Sequence, residues 1–212
     1  MRTVAVTGGI GSGKSAVCSI ISARGIPVYD SDSAAKRLYE EDDQLMDSIE
    51  EALGCGLRTA AGEVDYSKMA SIIFSSKESL SKVEALVHPA VLRDFKRWRA
   101  MQEDRFSGSD SADIFFGNEP FCVIESAIIL DKPAFLAVVD KVVMVEASLA
   151  VRVERACARD GAPKEKVIQR IAAQRFDLSK VDAFIRNEGT LEQLRAGTDK
   201  VFGSLDFRIR KF

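Results

Sequence analysis

A single histidine, His88, stands in the chain, which excludes a metal centre built from several imidazoles. Cysteine is scarce as well. Cys18, Cys55, Cys122 and Cys157 lie far apart, with no Cys-x-x-Cys pair and no zinc-like spacing. They read as reduced thiols of a cytoplasmic protein, not as a disulfide framework. No apolar run approaches the roughly 20 residues of a membrane span. Met1 leads straight into a polar residue and a short apolar segment, without the pattern of a signal peptide. An excess of one charge is missing too: 30 Lys and Arg face 32 Asp and Glu, leaving a net charge of −2. That balance argues against a basic nucleic-acid coat or an acidic tail. No internal repeat or low-complexity tract is visible. The remaining class is one globular domain of 212 residues, room for a sizeable core with small inserted lobes. Neither nucleic acid nor membrane is an expected partner.

What is present begins at the N-terminus. Thr3-Val4-Ala5-Val6-Thr7 is short, apolar and β-branched, the pattern of a buried strand. Gly8-Gly9-Ile10-Gly11-Ser12-Gly13-Lys14-Ser15 follows, and then Val17, Ile20 and Ile21 recur at helical spacing. Strand, glycine loop and helix form the context in which G-x-x-x-x-G-K-[ST] binds phosphate. Glycines let backbone N–H groups approach the anion, and the helix points its positive end at it. Lys14 can reach the β- and γ-phosphates of a nucleotide, and Ser15 can offer a hydroxyl to Mg²⁺. ATP or GTP is the expected ligand class.

Ile26-Pro27-Val28-Tyr29 makes a second strand that ends on Asp30-Ser31-Asp32. Carboxylates at the carboxyl end of such a strand lie where open α/β sheets bind ligands. Asp32 is the candidate for orienting an attacking hydroxyl and accepting its proton; the competing assignment makes Asp30 or Asp32 a helix N-cap. Helices are expected over 41–54, from Tyr66 to Phe74 with Asp65 as cap, and from a Ser75–Glu78 capping box to Val87. Pro89 is expected to open a further helix to about Glu103. That helix carries Arg93, Lys96, Arg97 and Arg99 with Phe95 and Trp98. The stretch reads as a solvated face with core aromatics, the alternative being a nucleic-acid contact. His88 is either a structural hydrogen-bonder or part of a pocket for an anionic second substrate. Asp104 to Glu119 reads as a surface loop.

Phe121-Cys122-Val123-Ile124 is a buried strand ending on Glu125, an acid placed to hold Mg²⁺ directly or through water. Residues 141–146 form the next core strand. Arg152, Arg155 and Arg159 fall at i, i+3 and i+7 on one helix, which a turn at 159–163 joins to a second helix. A helical hairpin with arginines on one face suits a lid over phosphates. Phe184-Ile185 is the last strand, with the loop after it a cradle for adenine and Thr190 capping a final helix. No Asn-Lys-x-Asp guanine reader occurs.

These stretches, together with Leu86-Val87-His88-Pro89, Arg155-x-x-x-Arg159-Asp160, Ile171-Ala172-Ala173-Gln174 and Ile185-Arg186-Asn187-Glu188-Gly189, resemble the dephospho-coenzyme A kinase family nearly end to end. The resemblance implies an α/β fold: a three-layer α/β/α P-loop NTPase architecture with a central parallel sheet and two helical inserts. It implies one domain over 1–212, with a core of 1–32, 119–147 and 183–212, an acceptor-binding lobe of about 33–118 and a lid of about 148–182. The implied partners are ATP, Mg²⁺ and dephospho-coenzyme A, phosphorylated at its ribose 3′-hydroxyl, with the protein a monomer or weak homo-oligomer. Asp32, Lys14 and Arg155 would be catalytic. The nucleotide would meet Gly8 to Ala16, with Arg159 and Asn187. Asp30 and His88 would serve the acceptor, and Ser15 the metal. Two departures stand out: Ala16 replaces the usual Thr after the loop serine, and Glu125 to Asp131 replaces a Pro-Leu-Leu-Phe-Glu-like run. A P-loop kinase for another hydroxyl acceptor is the nearest alternative, and a nucleotide-binding switch using residues 93–99 the more distant one.

Overall fold

A computed structural model of the protein describes residues 1–106 and 120–205. These fall into two compact units, one holding Met1–Asp30 and the chain from Arg99 on, the other Ser31–Trp98. The helical hairpin between Leu149 and Ala173 belongs to the first unit and does not separate from the sheet.

The first unit is built on a five-stranded, all-parallel sheet in the order β2-β3-β1-β4-β5. Its strands are β1 (Arg2–Gly8), β2 (Val28–Asp30), β3 (Phe121–Glu125), β4 (Lys141–Glu146) and β5 (Ala183–Arg186). β1 is central, and its side chains are buried almost throughout. That is the pattern of a parallel strand covered on both faces. Helix α1 (Lys14–Ser22) packs Val17, Ile20 and Ile21 against Val4 and Val6 of the sheet. Helix α9 (Leu191–Gly203) completes that layer with Leu194 and Phe202, and the Phe202 ring stacks on Phe121 at 5.9 Å. Each buried Val, Ile or Phe side chain contributes about 1.5–3 kcal/mol by leaving water. Thr190 caps α9 in a capping box with Gln193.

Between β4 and β5 the chain forms α7 (Leu149–Asp160) and α8 (Lys164–Ala173). The two share a small core of Val153, Ala156, Val167 and Ile171, against which Ile10 of the glycine loop packs. A short helix, α6 (Pro133–Leu136), precedes β4. Nothing among the described residues is long and apolar enough to cross a membrane as a helix.

The second unit is helical: α2 (Ser31–Glu41), α3 (Asp43–Leu53), α4 (Tyr66–Ile73) and most of α5 (Lys77–Phe106). Asp65 accepts from the Lys68 N–H at 2.9 Å and caps α4 as expected. Two expectations fail. The cap of α5 is Ser76, whose hydroxyl accepts from the Ser79 N–H at 3.0 Å, and no Ser75–Glu78 box forms. Pro89 lies inside one 30-residue helix and does not open a second. An interior proline removes a backbone hydrogen bond and costs about 3 kcal/mol. Val83, Val87, Ala90, Val91 and Phe95 nevertheless keep one continuous buried stripe across it, while Pro89 itself faces solvent. Phe95 is fully buried, with Trp98 stacked on it at 6.0 Å, so the aromatics of the basic stretch are packing residues. Of the surface loop expected at Asp104 to Glu119, helix α5 takes the first part to Phe106, and 107–119 lie outside the described residues.

Candidate active site

The carboxyl ends of the strands gather the candidate residues of the sheet unit. Asp30 pairs in register with Glu125, and Glu125 with Val6, so both acids stand at the edge where β1 runs on into Gly8. Gly8 is level with Val145, and Asn187 follows Arg186, the partner of Glu146. This edge, where strand order reverses around β1, is the ligand crevice of open α/β sheets.

The glycine loop is shaped for an anion. Gly13 sits at φ 94° and Gly11 at φ 74°, backbone conformations that a side chain would strain. A Cβ on Gly13 would also run into the Asn187 carboxamide, and one on Gly11 into the backbone of Arg152. Helix α1 starts directly after Gly13 with no side-chain cap and no acid in its first turn. Its N-terminal N–H groups and positive dipole end therefore face whatever anion the loop receives. Lys14 curls over the loop and donates to the Gly8 carbonyl at 3.0 Å.

Ser15 donates its hydroxyl to Glu125 at 2.7 Å. Serine hydroxyl and carboxylate are hard oxygen donors, the kind Mg²⁺ prefers in partial, water-rich coordination. The pair fits such an ion without a dedicated protein cage, and no group of three His, Cys, Asp or Glu that could hold a metal ion occurs among the described residues. Cys18, one turn along α1, lies against the same carboxylate. Burial first, then the Glu125 charge, pushes its thiol far above the ordinary range.

Two of the three α7 arginines reach the loop. Arg152 donates through Nε to the Ile10 carbonyl at 2.9 Å and through its terminal nitrogen to Gln174 at 3.0 Å. Burial lowers its pKa from the usual guanidinium value. Arg155 donates to the Asn187 backbone carbonyl at 2.9 Å and to its side-chain oxygen at 3.3 Å. Arg159, the third, turns to Asp160 at 2.6 Å and stays largely exposed. Asn187 is buried, and its carboxamide donates to the Ser12 carbonyl at 2.9 Å. The expected contact of Asn187 with adenine thus meets a side chain already engaged by the loop. Ala16 instead lines an open groove of about 610 Å³ between α1 and α9, with Ile20, Ala23, Leu191 and Arg195.

In the helical unit, Asp32 is exposed and lies inside the first turn of α2, so it is not the helix cap; burial first, then the Asp32 charge, raises the Tyr39 hydroxyl pKa. His88 is half-buried on α5. Beside it in sequence, Leu86, Pro89 and Arg93 line a groove of about 300 Å³ with Asp42 and Ser48 of the α3 region.

Sequence reasoning missed a role for Gln174. It stood in a matched stretch, and only its capping position at the end of α8, against Ile10, explains it.

A parallel sheet of this order, a glycine loop at its central strand and arginines carried over that loop define a P-loop kinase. A Thermus thermophilus crystal structure has the same fold, with a TM-score of 0.70 and 26% identity over 97% of this chain and 98% of its own. A dephospho-CoA kinase from Campylobacter jejuni gives 0.64 at 20% identity, covering 95% of this chain and 96% of its own, a likeness of fold. The CoaE dephospho-CoA kinase family matches residues 2–193. The Porphyromonas gingivalis dephospho-CoA kinase is 38% identical over 183 residues, 86% of this chain and 82% of its own. The chain belongs to the dephospho-CoA kinase family.

Proposed function

We propose that this kinase transfers the γ-phosphoryl group of ATP to the ribose 3′-hydroxyl of dephospho-coenzyme A, yielding coenzyme A and ADP. The observation that carries the reading is the phosphate loop itself, an uncapped helix N-terminus with Lys14 and Arg155 beside it. The acceptor comes from family membership.

In the reaction the 3′-oxygen forms a bond to the γ-phosphorus while the bond to the β,γ-bridging oxygen breaks. The hydroxyl proton passes late to Asp32, and ADP leaves with the bridging oxygen. Loop N–H groups of Gly8 to Ser15 hold the non-transferred phosphates. Lys14 leaves the Gly8 carbonyl for the β,γ oxygens, and Arg155 neutralises charge on the moving phosphoryl group. Ser15 and Glu125 would hold Mg²⁺, which when bound offsets charge on the β and γ oxygens. The nucleoside would lie along the apolar floor between α1 and α9, beside Ala16 and Leu191. Asp30 and His88 are assigned to the acceptor, about 33–118 to its lobe and about 148–182 to the lid. Four free cysteines support a cytoplasmic setting for the reaction.

The test is ADP release with ATP, Mg²⁺ and dephospho-coenzyme A against a control without acceptor, with the product confirmed by mass. Acceptor-dependent release with formation of coenzyme A is expected. Release driven only by another alcohol would overturn the acceptor. Asp32→Asn is expected to lower kcat by about 10²–10⁴-fold with ATP binding retained; full turnover would remove Asp32 as proton acceptor.

A further inference from the structure

Two carboxamides, from different parts of the chain, occupy matching positions beside the loop. Gln174 closes α8, and its single oxygen Oε1 accepts both the Ile10 N–H at 2.9 Å and the Arg152 guanidinium at 3.0 Å. Asn187 follows β5 and works from both ends. Its Nδ2 donates to the Ser12 carbonyl at 2.9 Å, while its Oδ1 accepts from Arg155 at 3.3 Å and its backbone carbonyl accepts from the same guanidinium at 2.9 Å. Its own N–H is tied to the Glu146 carbonyl at 2.8 Å. Each carboxamide thus joins one α7 arginine to one peptide of the phosphate loop, at positions two residues apart.

We infer that Gln174 and Asn187 are positioning residues that hold Arg152 and Arg155 in register with the phosphate loop. A guanidinium at the end of a long side chain has many rotamers. Fixing it on an amide oxygen orders it, and at Arg155, the arginine assigned to the phosphates, the neutral partner also leaves its charge uncancelled. Arg155 is then aimed at the loop at full charge, whereas Arg159 is neutralised by Asp160. The inference rests on the assignment of Arg155 to the phosphates.

The two brackets demand different chemistry. Gln174 only accepts, so a carboxylate can replace it; Asn187 must also donate, so a carboxylate cannot. Four variants, Gln174→Leu, Gln174→Glu, Asn187→Asp and Arg155→Ala, are compared in the full-length kinase by kcat and by KM for each substrate. Thermal unfolding of each shows that it folds. Gln174→Leu and Asn187→Asp are each expected to lower kcat/KM for ATP about tenfold to a hundredfold, with KM for dephospho-coenzyme A unmoved. Gln174→Glu is expected to recover most of kcat and to retain a raised KM for ATP, since its new charge opposes the nucleotide. A purely structural role would lower the unfolding temperature of the variants and leave both constants alone. The inference is overturned if Gln174→Glu is as impaired in kcat as Gln174→Leu, or if folded Asn187→Asp matches the wild type. Should Asn187→Asp not fold, the Gln174 pair decides. Normal kinetics in Arg155→Ala would instead break the phosphate assignment, a separate failure.

Discussion

At the root of the α7–α8 hairpin, Arg152 and Arg155 donate to backbone carbonyls and carboxamides around the glycine loop. At its tip, Arg159 donates to Asp160, which also accepts from Arg170 at 3.1 Å. The three arginines share one helix and one spacing. The root partners are neutral, Asn187 buried and Gln174 half-buried, so the guanidinium charge there persists and water screens it less. The tip partner is an exposed carboxylate, and water and salt screen such a pair. A helical stripe therefore decides which residues share a face, while the neighbours of each turn decide which of them can act on an anion.

The comparison can be broken most sharply at the root. Arg155→Ala is expected to lower kcat/KM for ATP by about 10²–10³-fold, the scale of losing a charged donor aimed at the reacting group. Steady-state kinetics with varied ATP checks it. A loss confined to KM for dephospho-coenzyme A would move Arg155 from the nucleotide to the acceptor. The next effect is mechanical. Val167 is fully buried in the hairpin core that also receives Ile10. Val167→Ala is expected to destabilise the hairpin by roughly 1–3 kcal/mol. Hydrogen exchange should then speed up in α7 and α8 and leave β1 and β4 protected; uniform acceleration would mean that hairpin and sheet unfold together. At the tip, Arg159→Ala is expected to change kcat/KM by no more than about threefold, as for an exposed ion pair. A loss as large as that of Arg155→Ala would show that Arg159 leaves Asp160 for the nucleotide and would erase the distinction.

Much of this was legible in the chain because it depends on local chemistry. The glycine loop declares itself through residue type and spacing, and Thr190 and Asp65 cap their helices as their positions foretell. The acids at 30 and 125 follow apolar runs, and the register sets them side by side. What escaped depends on packing between distant segments. The break expected at Pro89 is overridden by a buried stripe running from Val83 to Phe95. The resemblance puts Asn187 in the loop that meets adenine, but it gives no sign that the carboxamide also donates to the Ser12 carbonyl, 175 residues away in sequence. Gln174 carried no local signal at all, since an amide at a helix end is common and only the loop against it gives it a function.

The smallest effect concerns the tip alone and is read by pH. Arg159 first, with Arg170 adding to it, holds the Asp160 carboxyl down at about 2. The ordinary carboxylate value is near 3.9. A group whose pKa is lower in the folded state stabilises that state above its unfolded pKa and loses the contribution as pH falls through the folded value. Wild type and Asp160→Asn should therefore differ by a small, constant margin in unfolding temperature above about pH 5. That margin should narrow between about pH 4 and pH 2 and vanish below. Added salt should shrink it at neutral pH, because the Debye length falls to about 3 Å at 1 M and the pair is exposed. Thermal unfolding across this range, at low and high salt, gives both curves. A margin that persists below pH 2 would mean that Asp160 acts through packing or hydrogen bonding and not through its charge. Arg159 would then be free of the electrostatic hold that sets it apart from Arg155, and its turn toward Asp160 would need a steric cause.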